Sequence, residues 1–103
     1  MKVIHLILYS RKGCCLCEGL ELRLKKIALQ DLSPPITLKV VDIDGKDVSE
    51  SQRVRYDLKV PVMAFFLNAS NRIIELPNIS PRIKGKDLMV WLQQSINKEN
   101  DFF

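Results

Sequence analysis

The chain opens on an apolar, β-branched-rich run, Val3-Ile4-His5-Leu6-Ile7-Leu8-Tyr9, bounded by Ser10-Arg11-Lys12-Gly13. Neighbouring side chains of a strand point to opposite faces, so a run apolar at every position predicts a strand buried on both faces. From Leu16 the period changes. Leu16, Leu20, Leu24, Ile27 and Ala28 recur mainly at spacings of three and four, with charges between them, which predicts a helix to about Asp31. Ser33-Pro34-Pro35 ends it, because proline cannot continue a helix and excludes helical geometry from the residue before it.

Ile36 to Ile43 alternates and is β-branched, predicting a second strand that closes at Asp44-Gly45. Asp47 and Glu50 have capping-box spacing, so a short helix is expected from about Val48 to Tyr56. After Pro61, Val62 to Leu67 is a third apolar strand, and Asn68-Ala69-Ser70-Asn71 turns it into Arg72 to Leu76 as a hairpin. A proline-dotted loop, Pro77 to Lys84, leads to a last helix with the stripe Leu88, Trp91, Leu92 and Ile96. The polar tail, residues 99–103, is expected to fray. The order β-α-β-α-β-β-α implies an α/β domain over residues 1–98, with a right-handed parallel first crossover and an antiparallel hairpin.

Composition changes this picture little. At 103 residues, 47% apolar and 27% charged, the chain has the balance of one soluble globular domain. The net charge of +4 is scattered over Arg11-Lys12, Lys25-Lys26, Arg53/Arg55 and Lys84/Lys86. Without a basic stripe, nucleic acid is not an expected partner. Nothing approaches the ~20 apolar residues of a membrane span. The first strand is short, carries His5 and lacks a small-residue cleavage site, so it does not read as a signal segment. The expectation is a cytoplasmic monomer, or a protein of the plastid stroma if the source is a plant.

The cysteines do change it. Cys14, Cys15 and Cys17 fall within four residues, opposite to the dispersed pairs of a secreted scaffold. They sit where the first strand hands over to the first helix, whose unpaired N–H groups and dipole stabilise a thiolate. Cys14 and Cys17 are one turn apart and can bridge with little backbone movement. This suits thiol–disulfide exchange, with Cys14 the attacking thiol and Cys17 the resolving one. Arg11 and Lys12 add positive charge on the approach side, and Glu18 and Glu21 oppose it. Cys15 is expected to be a bystander, with a secondary role as an alternative thiol for glutathionylation or metal capture. His5 reads as a core or near-core histidine. Two other functions fit the cluster: a thiol module holding a soft metal or cluster, or an interaction domain with idle cysteines.

Three segments carry a family resemblance: the run Ser10 to Glu18 with Gly13-Cys14-Cys15-Leu16-Cys17, then Val41-Asp42-Ile43-Asp44, then Tyr56-Asp57-Leu58-Lys59-Val60-Pro61-Val62. In this order they resemble the glutaredoxin-like proteins of the DUF836 type, over residues 3 to about 67. The resemblance implies a thioredoxin-like fold, with a four-stranded mixed sheet in the order 2-1-3-4 and helices on both faces. It also implies redox-active Cys14 and Cys17. The leading reading is a disulfide oxidoreductase acting through this pair on protein or low-molecular-weight disulfides, with no metal site expected. Val60-Pro61 is implied to be cis beside the cysteines, leaving an extended backbone to pair with a bound peptide or thiol. Cys15 stands where the family commonly has His. Lys12, Val60 and a reduced Gly85-x-Asp87 stand where orthodox glutaredoxins hold glutathione, without their double glycine. Glutathione is thus a candidate ligand supported by part of the motif, and no other cofactor is expected.

Overall fold

The computed structural model describes residues 4–68 and 70–99. Residues 1–3, Ala69 and residues 100–103, which include the start of the expected first strand, one residue of the expected hairpin turn and most of the expected tail, lie outside the described residues. The elements are β1 (Ile4–Ser10), α1 (Cys15–Lys26), a 3₁₀ turn (Leu29–Asp31), β2 (Ile36–Asp42), α2 (Glu50–Tyr56), β3 (Val62–Leu67), β4 (Arg72–Glu75) and α3 (Gly85–Lys98). The sheet order is β2-β1-β3-β4. β1 runs parallel to β2 and antiparallel to β3, and β3 runs antiparallel to β4.

The uninterrupted apolar character of β1 follows from its central place. Ile4, Leu6 and Leu8 join Met63, Phe65 and Leu67 of β3 on one face, packed against Leu20 and Leu24 of α1 and Leu88, Leu92 and Ile96 of α3. On the opposite face Ile7 and Tyr9 meet Val62, Ala64, Ile43 and Tyr56. Helices therefore cover both faces, with α1 and α3 on the larger core and the short α2 on the smaller. Each fully buried Leu or Phe contributes about 1.5–3 kcal/mol of burial free energy. The loop from β3 to β4 turns through Asn71 at φ 53°, a left-handed position that asparagine tolerates better than most residues.

Two boundaries differ from expectation. The first helix ends at Lys26, not Asp31; Ile27 is already extended, with its N–H donating to the Arg23 carbonyl. Burial decides this: by leaving the helix, the chain turns Leu29 and Leu32 into the larger core. The short helix is capped by Ser49, not Asp47. Ser49 Oγ accepts from Gln52 N–H, and Gln52 Oε1 accepts from Ser49 N–H. Val48 is buried and stays outside the helix, which shifts the capping box two residues along.

Candidate functional site

The site begins with Gly13 at φ +81°, a left-handed conformation that glycine adopts without penalty. It turns the chain out of β1 so that Cys14 becomes the N-cap of α1. Cys14 N–H donates to the Arg11 carbonyl at 3.2 Å, and the Cys14 carbonyl accepts from Glu18 N–H at 3.0 Å. Cys14 Sγ accepts from Cys17 N–H at 3.2 Å. Cys14 and Cys17 form a disulfide across a Cα–Cα distance of 5.2 Å, within the range an unforced bridge needs. The two sulfurs are unequal: Cys14 is half-buried, whereas Cys17 is 1% exposed. Cys15 is a free, exposed thiol. The N–H that Cys17 aims at Cys14 Sγ and the positive helix end both favour negative charge there, while the exposed Glu18 in the first turn opposes it.

Arg11 departs from its expected part. It does not offer free positive charge to an approaching substrate, because its guanidinium is engaged by two carboxylates. Nε and Nη2 donate to Asp44 at 2.9 and 3.2 Å. Nη2 also reaches Asp57 Oδ1 at 2.6 Å, and Nη1 the Asp57 carbonyl at 3.1 Å. The hydrogen bond to Asp44, and then that to Asp57, strengthens the hold of Arg11 on its proton. The hydrogen bond from Arg11 holds the Asp44 carboxyl below its ordinary value. Asp44 and Asp57 both lie in the recognised segments, but nothing local assigns them a partner.

Val60 and Pro61 are half-buried and precede β3. Because Tyr9 pairs with Val62 in antiparallel register, they lie at the end of the sheet where β1 hands over to the cysteine loop. The Val60–Pro61 and Ser33–Pro34 peptide bonds are cis. Lys12 is exposed within that loop. Gly85-x-Asp87 does not join them. A Cβ on Gly85 would lie 3.2 Å from Ile27 Cγ2, so this turn is packed on the C-terminal end of α1. Counted along the helix, that end is about 20 Å from Cys14. The glycine serves close approach there, and the expected glutathione-holding trio is not assembled.

His5 behaves as a near-core histidine, half-buried and stacked on Phe66 with ring centroids 6.1 Å apart. It lines a cavity of about 380 Å³ with Lys39, Gln52 and Phe66 on the α2 face. Beside it lies a cluster that the sequence reading missed. Tyr9 stacks on Tyr56 at 4.5 Å, and Tyr56 donates to Glu75 Oε2 at 3.3 Å, where Arg55 also donates. Burial, then the neighbouring Tyr56 and Glu75, raises the Tyr9 phenol. Among the described residues, no group of three or more His, Cys, Asp or Glu side chains converges as metal ligands, and no helix is long and apolar enough to cross a membrane.

Several solved structures are similar to this chain in fold. Thioredoxin-2 of the malaria parasite, a component of its protein secretion machinery, matches with a TM-score of 0.61 at 17% identity, over 90% of this chain and 84% of its own. A second malarial protein matches with a TM-score of 0.58 at 17% identity, over 89% and 96%. The first thioredoxin domain of mouse Protein disulfide-isomerase A4 matches with a TM-score of 0.60 at 17% identity, over 90% and 62%. At this identity they share the thioredoxin-like fold alone. No curated protein matches the chain. Residues 5–93 match the glutaredoxin-like domain (DUF836), and the chain belongs to that family.

Proposed function

We propose that the protein is a glutaredoxin-like thiol–disulfide oxidoreductase acting on disulfides of proteins or of small thiols. The observation that carries this reading is the inequality of the pair: an accessible Cys14 at a helix N-cap, receiving an N–H, bridged to a buried Cys17. In the reduced protein, Cys14 thiolate attacks one sulfur of a substrate disulfide. The Cys14–substrate bond forms as the substrate S–S bond breaks, and the departing thiolate takes up a proton. Cys17, giving up its proton, then attacks Cys14 Sγ and expels the second substrate thiol. The Cys14–Cys17 disulfide remains, and two electrons have passed to the substrate. An external thiol or dithiol reductant reverses the last bond. The half-buried Val60-Pro61 segment and the exposed Lys12 are the groups this reading assigns to holding the substrate.

The test is reduction of a glutathione-linked peptide disulfide, coupled to a reductase. C14S abolishes turnover, and C17S accumulates a Cys14 mixed disulfide visible by intact mass. Equal inactivity of the parent and C14S, with either reductant class, would sink the proposal.

A further inference from the structure

We infer that Arg11 is a positioning residue, latching the loop that leads into β3 to the loop that carries Cys14. It thereby sets how an incoming disulfide is presented to Cys14 Sγ; this rests on the disulfide-exchange function proposed above. Arg11 acts in both directions at once. Its carbonyl accepts from Cys14 N–H, while its guanidinium holds both the carbonyl and the side chain of Asp57. Asp57 is the C-cap of α2, and Leu58, Lys59 and Val60 alone separate it from Pro61. The remaining donors hold Asp44 on the loop leaving β2. One planar fork thus ties its own loop to two others, 33 and 46 residues away in sequence.

The other contacts described for the loop before β3 tie it to α2 and to the smaller core, on which Val60 packs. Leu58 is 95% exposed. The N–H groups of Lys59 and Val60 both donate to the Tyr56 carbonyl, which fastens the loop to α2 and not to the cysteine loop. With two carboxylates on one guanidinium the cluster presents no net positive charge to Cys14, and a lysine at position 11 separates the geometry of the fork from the charge, which it keeps. Lysine keeps the charge but cannot reproduce the fork, which binds several acceptors in one plane.

The experiment compares R11K, R11A and D57A with the parent in the full chain. All carry C15S, so that Cys14 is the one accessible thiol of the cluster. Three rates are measured: alkylation of reduced Cys14 by iodoacetamide across pH, exchange with a glutathione-linked peptide, and amide hydrogen exchange over residues 57–60. In R11K, loss of the fork raises the peptide KM and speeds amide exchange by about five-fold or more, while alkylation stays within about two-fold at every pH. D57A moves the same two quantities in the same direction, less strongly, because the main-chain acceptor survives. If R11K matches the parent in KM and amide exchange, the latch is wrong although the function stands. If R11A slows both reagents by one common factor while R11K restores the parent values, Arg11 acts through charge and the latch is wrong. A parent that exchanges with no disulfide removes the proposed function, and the positioning role with it.

Discussion

The same chemical change, glycine to alanine, should have opposite signs at the two glycines that flank the cysteine pair. Gly13 is at φ +81°, and an added Cβ would meet nothing within 4 Å. Any loss in G13A is therefore conformational and not steric. Forcing an L-residue into the left-handed region costs about 1–2 kcal/mol, and the stiffer unfolded chain returns about 0.4–1 of it. A net loss of about 1 kcal/mol is expected. Gly19 lies inside α1, where an added Cβ would be 3.7 Å from Arg23 Nη1, an ordinary contact. G19A should therefore gain about 0.5–1 kcal/mol from helix propensity alone. Urea unfolding of the reduced proteins measures both, and at a slope of about 1–3 kcal/mol per molar the midpoints move apart in opposite directions. G13N should recover part of the loss, since asparagine tolerates this region. A G13A protein as stable as the parent, or two shifts of the same sign, would refute the reasoning.

Phe65 is 0% exposed at the centre of the larger core, so F65A should lose about 3–5 kcal/mol in urea unfolding, a large share of a small domain's total. S49A should lose about 1 kcal/mol as a lost N-cap, whereas D47A should leave the urea midpoint unchanged; the reverse order would restore Asp47 as the cap. Arg11 holds the Asp44 carboxyl below its ordinary value of 3.8. Its contribution is therefore complete above that value and is lost as pH falls through the lower folded value. D44N should accordingly flatten the acid limb of a stability-versus-pH curve, and salt should flatten that of the parent. The Tyr9 and Tyr56 phenols are raised above 10.0, chiefly by burial. Their contribution is complete below 10.0 and is lost as pH rises through the folded values, so Y9F should unfold less steeply than the parent in alkaline titration.

What was legible in the sequence is what depends on near neighbours or on burial alone. β1 could be read because residues buried on both faces leave a continuous apolar run, and α3 because Leu88, Leu92 and Ile96 share one stripe. The cysteine pair could be read because its geometry is set within one helical turn. The misreadings arose where two local solutions compete and a distant contact chooses. Asp47-x-x-Glu50 and Ser49-x-x-Gln52 are both valid capping templates; burial of Val48 selects the second. A helix running to Asp31 and a break at Ile27 both suit the stripe Leu16, Leu20 and Leu24, and burial of Leu29 and Leu32 in the larger core selects the break. Gly85 could serve a ligand cradle or a close helix approach, and its contact with Ile27 selects the approach.

Arg11 is the case in which such a choice changes the chemistry. Beside Lys12 it reads as positive charge, because the carboxylates that engage it come from 33 and 46 residues away. Counted together, Arg11, Asp44 and Asp57 carry a net negative charge, so this cluster cannot be what favours a thiolate on Cys14. That work falls to the start of α1 itself: the Cys17 N–H aimed at Cys14 Sγ, the helix N-terminus behind it, and the exposed Lys12. Helix-terminal stabilisation is confined to the first turn and acts at short range, whereas a free guanidinium would also draw anionic substrates from a distance. Under the exchange function proposed above, such a site activates its own sulfur more than it gathers charged partners, and selection among disulfides would pass to the loop that Arg11 is inferred to hold.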